Sequence, residues 1–582
     1  MRGLGTLFGV MGMLMLAACG GREEGAVDVA GIQDVLPDGK GEVLAVPDSM
    51  KPGDVALPTD LQDLRLAELS PLDLLDTAAD IGIDDDAGMP TDVSAEFEIG
   101  CQPQCEDKGC GDDGCGSDCG PCPDGQGCSD DQCIYPAGVA PVWNTGFSGN
   151  GVVLAADMAA DALGNVYVCG TFIVAAVDFG NGPVNVKGGE DIYLVKLDGT
   201  GELQWARTFG GVSKDFCRGV AADGSGGVFM VGGFSSADLD LGGGALANGG
   251  GTDILVARFD TDGEHVWSSS YGIGEDEAAW AAAVDTDGAL YVTGRFGGQY
   301  SSSMDMGGVE LTSNDKADIF VARFNGDGKP TWAKAFGGAN VAHGREIVVG
   351  SDGRVAVAGE FFNDGVPFEY GGSEETALGM GWNVFVLLLD SNGEQIWAKT
   401  FGGNGDDAVR GVAIDPQQNV TLVGHGQGTP ALDFGNGPTA SIGSEDLFIA
   451  CFDDEGNPVW ANLIGTQGTS TQAAGVATNN NGDIYILGHF SGTTLDPGGT
   501  ELSSKGGTDL FLARYTLNGG LTWATSYGTV SNETGVALLR STSGGLTIAG
   551  GFEGNTMNFG LEPVTNGLVA TPAVYVAALA ED

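Results

Sequence analysis

The sequence is short of positive charge. Only 24 of its 582 residues are lysine or arginine, against 80 aspartates and glutamates, which gives a formal net charge of −56. Nucleic acid and anionic lipid headgroups are bound through clustered Lys and Arg, so neither is expected as a partner. Histidine is scarcer still, at four residues. Helical periodicity is missing from residue 140 onward. The apolar run Leu4–Leu16 is too short to span a bilayer comfortably. No Ser-His-Asp set or phosphate loop can be placed, and carboxylates are so common that any chosen glycosidase pair is weak. Asp260–Gly263 and Asp285–Gly288 read Asp-x-Asp-Gly, which is too short for an EF-hand loop and suits a hairpin turn. The plain reading of this composition is a soluble extracellular surface kept apart by self-repulsion.

The N-terminus carries a secretion pattern: Arg2, the apolar run, then Leu16-Ala17-Ala18-Cys19. This tetrapeptide resembles the bacterial lipobox, in which the cysteine becomes the lipidated first residue of the mature protein. The resemblance implies that residues 1–19 are a lipoprotein signal ending at Cys19 and that Cys19 carries a diacylglyceryl group and an N-acyl chain. Two or more chains anchor stably where one does not. A plain signal peptide with a chance cysteine is the alternative. Gly20 stands where an inner-membrane retention signal would have Asp, which directs the expectation to the outer membrane or cell surface. The lipid anchor would be the sole membrane contact.

Residues 20–100 hold 20 Asp plus Glu against four basic residues, with scattered prolines and no sustained apolar period. This predicts a disordered, self-repelling tether. Residues 101–135 follow with eight cysteines: Cys101, Cys105, Cys110, Cys115, Cys119, Cys122, Cys128 and Cys133. So short a segment has little to bury and needs covalent staples. Disulfides of undetermined connectivity are expected; zinc is the rival, with a lone Cys-x-x-Cys pair and no histidine beside it. The segment resembles small Cys-rich modules that precede repeat domains in bacterial surface proteins, which implies a spacer or cap.

From residue 140 to 582 a repeat takes over. Trp143, Trp205, Trp267, Trp332, Trp397, Trp460 and Trp523 lie 62 to 65 residues apart. Each period contains four short strands and two Asp/Gly hairpin turns, as Gly219–Asp223, Val228–Phe234, Asp253–Asp260 and His265–Tyr271 show. That is one blade of a β-propeller. The pattern resembles the SBBP-type bacterial β-propeller repeat: Gly164–Gly170, Asp178-Phe179-Gly180, Asp191–Asp198 and Trp205–Gly211 follow its elements in order, and Ile464-Gly465-Thr466 departs from it. The resemblance covers about 440 residues and brings no catalytic motif. The fold expected is all-β: a seven-bladed propeller of four-stranded blades, about 63 residues each. The chain enters on the Trp143 strand and leaves on Val574–Ala580, so pairing of these two would complete the seventh blade and remove a free edge. An open stack of seven sheets is the alternative.

Within the repeat, recurrent positions read as structure and variable ones as candidates. Gly170, Gly232, Gly294, Gly359, Gly424, Gly488 and Gly550 predict close backbone approach, and the tryptophans predict packing between blades. Asp191, Asp253, Asp318, Asp446 and Asp509, opening the third strands, read as turn caps, with calcium the alternative role; no other cofactor or metal is expected. Thr171, Gly233, Arg295, Glu360, His425, His489 and Gly551 vary at one position, and Glu360, His425 and His489 in neighbouring blades suggest a metal triad that inter-blade spacing disfavours. Arg218, Trp280, Arg345 and Arg410 align where the innermost strands begin, with Asp215 and Asp407 the expected ion-pair partners. Cys169 ends one second strand and Cys217 precedes the next blade's first strand; separate thiols are the expectation and a bridge between them the alternative, while Cys451 reads as a buried inert thiol. Long loops share the face of the arginines, and Trp280, Arg345, Tyr370 and Trp382 are the ligand-binding candidates, with packing beneath the loop the competing role for the aromatics. A monomeric scaffold binding a glycan, a protein or envelope material is the leading expectation. An extracellular hydrolase or lyase at the channel mouth, or a structural envelope component without a specific ligand, are the alternatives.

Overall fold

The computed structural model describes residues 139–581, apart from the short segments 174–175, 315, 339–340, 366–367, 371–372, 376–378, 428–431, 436–440, 542 and 568–570. It also describes a ribbon in which Gly127–Ser129 pairs with Gln132–Ile134. The expected signal, Cys19, the tether and the cysteines from Cys101 to Cys122 lie outside the described residues.

Seven four-stranded antiparallel sheets follow one another along the chain. Blade 1 comprises Val152–Ala160, Val166–Ile173, Asp191–Leu197 and Leu203–Phe209. Blade 2 opens at Asp215, blade 3 at Ala278, blade 4 at Ala342, blade 5 at Ala408 and blade 6 at Thr471. In blade 7, Glu533–Arg540, Leu546–Phe552 and Ala573–Glu581 take their fourth strand from the other end of the propeller. Val139–Gly149 pairs antiparallel with Ala573–Glu581, Phe147 opposite Val574. The same strand runs on to pair Ser148 and Gly149 with Asp178 and Val177 of blade 1. The ring therefore closes as the strand count required. No helix occurs among the described residues.

Each recurrent feature of the sequence has a physical cause. The tryptophans lie between blades, and the indole Nε1 donates to a carbonyl in the next blade's outer turn: Trp143 to Gly199 (2.9 Å), Trp205 to Thr261 (3.0 Å) and Trp460 to Leu517 (2.8 Å). The turn glycine must be bare, because a Cβ on Gly263 (φ +73°) would stand 2.8 Å from the Trp205 ring. Trp523 breaks the series. Its next blade is blade 7, whose third and fourth strands come from opposite ends of the chain, so there is no turn to receive the indole; its buried Nε1 has no partner. The caps on the third strands also hold. Asp191 accepts from the backbone N–H of Lys187 (2.7 Å), Asp253 from Gly249 (2.6 Å) and Asp446 from Ile442 (2.7 Å). The same carboxylates press on the glycine that ends each outer strand, leaving 2.2 Å between Asp253 Oδ1 and a Cβ on Gly272.

Contrary to the expectation of separate thiols, Cys169 of blade 1 and Cys217 of blade 2 form a disulfide with Cα atoms 6.1 Å apart, stapling the two blades. Cys451 is buried and forms no disulfide.

Candidate functional site

The innermost strand of every blade carries a one-residue bulge, at Ala156, Arg218, Trp280, Arg345, Arg410, Ala474 and Val536. A bulge re-aims a side chain and stiffens the local twist. It also explains the glycine in the adjoining strand: a Cβ on Gly232 would lie 2.0 Å from the Phe216 carbonyl, and one on Gly359 1.9 Å from that of His343. The bulged residues form a ring about the channel, large and polar on blades 2 to 5 and small on blades 6, 7 and 1. The lumen narrows here to a cavity of about 120 Å³, with Arg218, Trp280 and Arg410 on one tier and Asp157 and Glu346 on the next.

Beside each bulge, toward the long-loop face, lies a second tier built from paired residues of the two inner strands: Ala278 with Arg295, His343 with Glu360, Ala408 with His425, and Gln472 with His489. These two tiers bring Trp280, Arg345 and Trp382 together. Arg345 Cζ stands 3.9 Å from the Trp280 ring centre and Arg218 Cζ 5.4 Å. His343 links the two tryptophans: its ring is 6.1 Å from Trp280 at 15° and 5.0 Å from Trp382 at 29°. Sequence reasoning missed His343. As one of four histidines, two residues before an arginine already singled out, it was there to be found.

Tyr370 does not join them. It is buried with Phe361, Phe368 and Phe385 in the core of blade 4, because the ribbon Phe368–Tyr370 folds back over the blade and the aromatics pack beneath their own loop. The ion-pair partners also differ from expectation. Asp215 accepts from the backbone of Gly211 and Ser236, and Asp407 from that of Gly403 and Gln427, so both cap turns. The carboxylate that serves the arginines is Glu360, 3.1 Å from Arg345 and 3.0 Å from Arg410. This occupies Glu360 in cation pairing rather than beside His425 and His489. Glu445 serves that side of the mouth instead. Burial works against its charge, but hydrogen bonds from Ser470, Gln472 and Gln427 bring its carboxyl below the usual range.

Four arginines gather at the mouth of a strongly negative molecule. Burial, with the neighbouring arginines, lowers His343 to about 3, and burial beside Arg410 lowers His425 and His489 to about 4, so all three imidazoles are neutral near pH 7. Burial raises Glu346 to about 8 and Asp157 to about 7, with the nearby Asp157 charge adding to the rise at Glu346. Arg218, Arg295, Arg345 and Arg410 thus face the carboxylates of Glu360 and Glu445. Several polar atoms at this mouth are closed off without a partner: Trp280 Nε1, Arg295 Nε and the Nδ1 atoms of His425 and His489. A buried polar group left unmatched costs about 1–3 kcal/mol. Such a cluster at one place marks polar groups that the described residues leave unmatched.

From Arg295 a crevice of about 500 Å³ leads outward between the loops of blade 3 and the entry to blade 4, past Gly297 and Gly298 to Tyr300. A larger cavity, about 670 Å³, lies on the opposite, short-turn face where the ring closes; its Arg514 is already paired with Asp483 (2.6 Å) and Glu581 (2.5 Å).

No family model matches the chain. It is 25% identical over 233 residues to the uncharacterized WD repeat-containing protein L264 of Acanthamoeba polyphaga mimivirus, across 34% of this chain and 17% of that protein. It is 24% identical over 274 residues to the regulatory protein FlaEY of Caulobacter vibrioides, across 44% of this chain and 28% of that one. The chain therefore has WD-repeat-like relatives but spans only 17% and 28% of the lengths of these two curated relatives. Among solved structures it is similar to the WD40 domain of Neurospora crassa Pan2, at TM-score 0.39 and 10% identity, over 76% of this chain and 96% of that one. It is also similar to the polysaccharide lyase Uly1, at TM-score 0.39 and 11% identity, over 73% and 90% of the two chains.

Proposed function

We propose that this chain is a lipid-anchored bacterial surface protein whose propeller is a binding scaffold, with its ligand seated at the channel mouth on the long-loop face. The observation that carries the reading is the convergence there of buried polar atoms without partners on a ring of arginines. Rigid strands hold these groups while the loops around them differ from blade to blade, which is where binding residues concentrate. The lipobox-like Leu16–Cys19 supports the anchor, and the disulfide between Cys169 and Cys217 fits an exported protein. The SBBP-type likeness of the repeats points to a bacterial envelope setting.

Two measurements test this. Cys19→Ser should abolish lipid labelling and release the chain from membranes; a variant that stays membrane-bound with its label removes the anchor. The released full chain, applied to glycan and envelope-protein arrays, should retain one ligand class and lose it on Trp280→Ala or Trp382→Ala. Retention unaffected by both changes, but lost on substitution of the short turns, would place the site on the other face.

One observation favours a second reading, an enzyme at the same mouth. Glu346 and Asp157 line the narrow lumen beneath the arginines and hold protons near neutral pH, as a general acid must. Turnover of the retained ligand, lost on Glu346→Gln with binding intact, would establish it.

A further inference from the structure

Resting on the scaffold reading, we infer that the channel mouth and the blade 3 crevice together form a groove for an acidic oligosaccharide, with a carboxylate-bearing sugar unit held by Arg218 and Arg295 and the adjoining units running outward to Tyr300.

Charge selects the first part of this ligand. Glu360 offsets Arg345 and Arg410. Arg218 and Arg295 have no carboxylate of the described residues within ion-pair distance. Arg218 rests on aromatic faces, 4.9 Å from the Phe216 ring centre and 5.4 Å from Trp280. Arg295 reaches His343 Nε2 at 3.4 Å and keeps a buried Nε without a partner. Glu190 acts on Arg218 only through space and is itself paired with Lys214 (3.1 Å), so in a chain of net charge −56 neither arginine has a carboxylate in direct contact. A planar guanidinium fork matches a carboxylate in two-point contact. Trp280 and the imidazoles of His425 and His489 stand at the same mouth, with Trp280 Nε1 and both Nδ1 atoms unmatched within the described residues.

Shape and polarity select the rest. The crevice starts at Arg295, and its floor is the pair Gly297–Gly298. A Cβ on Gly298 would stand 2.4 Å from the Glu275 side chain, so the floor is held flat. Tyr300 stands at the outer end, 79% exposed, with its ring free to cover a sugar face. Lys316 on the crevice wall is paired with Asp364 (3.3 Å), and Glu275 and Asp276 line the same crevice. They would repel a second carboxylate there and accept hydroxyl hydrogen bonds, which places the acidic unit at the channel end. A peptide is a poorer fit. It would need a strand edge to extend or apolar pockets for its side chains. The crevice is lined by loops, and Arg295, the strand residue in it, is already paired on both sides.

The test uses the full chain carrying Cys19→Ser and titration calorimetry. The probes are hexamers of galacturonate, mannuronate and glucuronate, the methyl ester of the best binder, the matching monomer, and a peptide ending in a free carboxylate. At least one hexamer should bind saturably, weaken as salt rises, and lose ten-fold or more in affinity on esterification. Arg218→Gln and Arg295→Gln should each weaken it at least ten-fold while melting within a few degrees of the parent. Tyr300→Ala should weaken the hexamer and leave the monomer unchanged. If the ester binds equally well, or both arginine variants bind normally, the acidic-unit assignment is wrong; loss of that same binding on Trp280→Ala would then leave the scaffold reading standing. If only the peptide binds, and through the same arginines, the ligand class is wrong. Binding of none of the hexamers overturns the inference.

Discussion

Replacing Glu346 with glutamine should stabilise the propeller, by an amount that grows as pH rises from about 4.5 to about 8. Glu346 lines the lumen with Asp157, Arg410 and the ring of innermost strands, and its carboxyl keeps its proton to about pH 8 in place of the ordinary 4.5. The folded state therefore binds more protons than the unfolded chain between those values. Unfolding becomes easier as pH rises through that window, and the loss is complete above the folded value. Each pH unit is worth about 1.36 kcal/mol, so the ceiling is roughly 5 kcal/mol. The side chain keeps some contact with lumen water and lies near Arg345 and Arg410, and screening brings a realistic figure to about 2–3 kcal/mol. The glutamine amide would keep the hydrogen-bonding shape and never ionise. With about 2.1 cal/mol/K of unfolding entropy per residue over roughly 440 residues, the gain corresponds to about 2–3 °C in Tm. Asp157, Asp407 and Glu277, each raised to about 7, push the parent in the same direction. The informative quantity is thus the variant-minus-parent difference. Calorimetric melting at about pH 4 and about pH 8.5 should give near-equal Tm values at the first and a higher variant Tm at the second. An equal gap at both would mean that Glu346 ionises normally and that the lumen solvates charge.

Gly272→Ala forces a Cβ to within 2.2 Å of Asp253 Oδ1 and should cost about 1–3 kcal/mol by thermal melting, whereas Gly288→Asn, at φ +80° with nothing within 4 Å, should be tolerated. Cys169→Ala with Cys217→Ala opens a cross-link spanning 48 residues and should lower stability by about 2–4 kcal/mol in denaturant melts; an unchanged midpoint would mean the bridge adds nothing. Trp460→Phe gives up the bond to Leu517 and should cost about 1 kcal/mol more than Trp523→Phe, whose indole N–H has no partner to lose; equal costs would show that Trp523 finds one.

The architecture was legible because the chain carries seven versions of one unit, so the glycines, tryptophans and capping aspartates declared themselves by recurrence. Half of the candidate site was legible for the same reason. Arg218, Trp280, Arg345 and Arg410 fall on one column, and the bulge that turns them into the channel acts identically in every blade. The rest depended on contacts that spacing does not encode. Asp215 is near Arg218 in sequence, yet its oxygens are taken by backbone N–H groups, and the partner of Arg345 and Arg410 is Glu360 from the neighbouring strand. Tyr370 looked exposed as a loop aromatic; only the ribbon's return over Phe385 shows why it is covered.

The seventh blade sets an order of assembly. Blades 1 to 6 are each made of strands contiguous in sequence, so each can form from short-range contacts as soon as its own residues are present. Val139–Gly149 comes before all of them and must wait for Ala573–Glu581, the last strand of the ring. Such a pairing carries the largest loop-closure cost in the molecule and forms late. Until then the edge of Ala573–Glu581 stands open, ready to pair with the equivalent strand of another copy, so the concentration of half-closed rings governs the yield of closed ones.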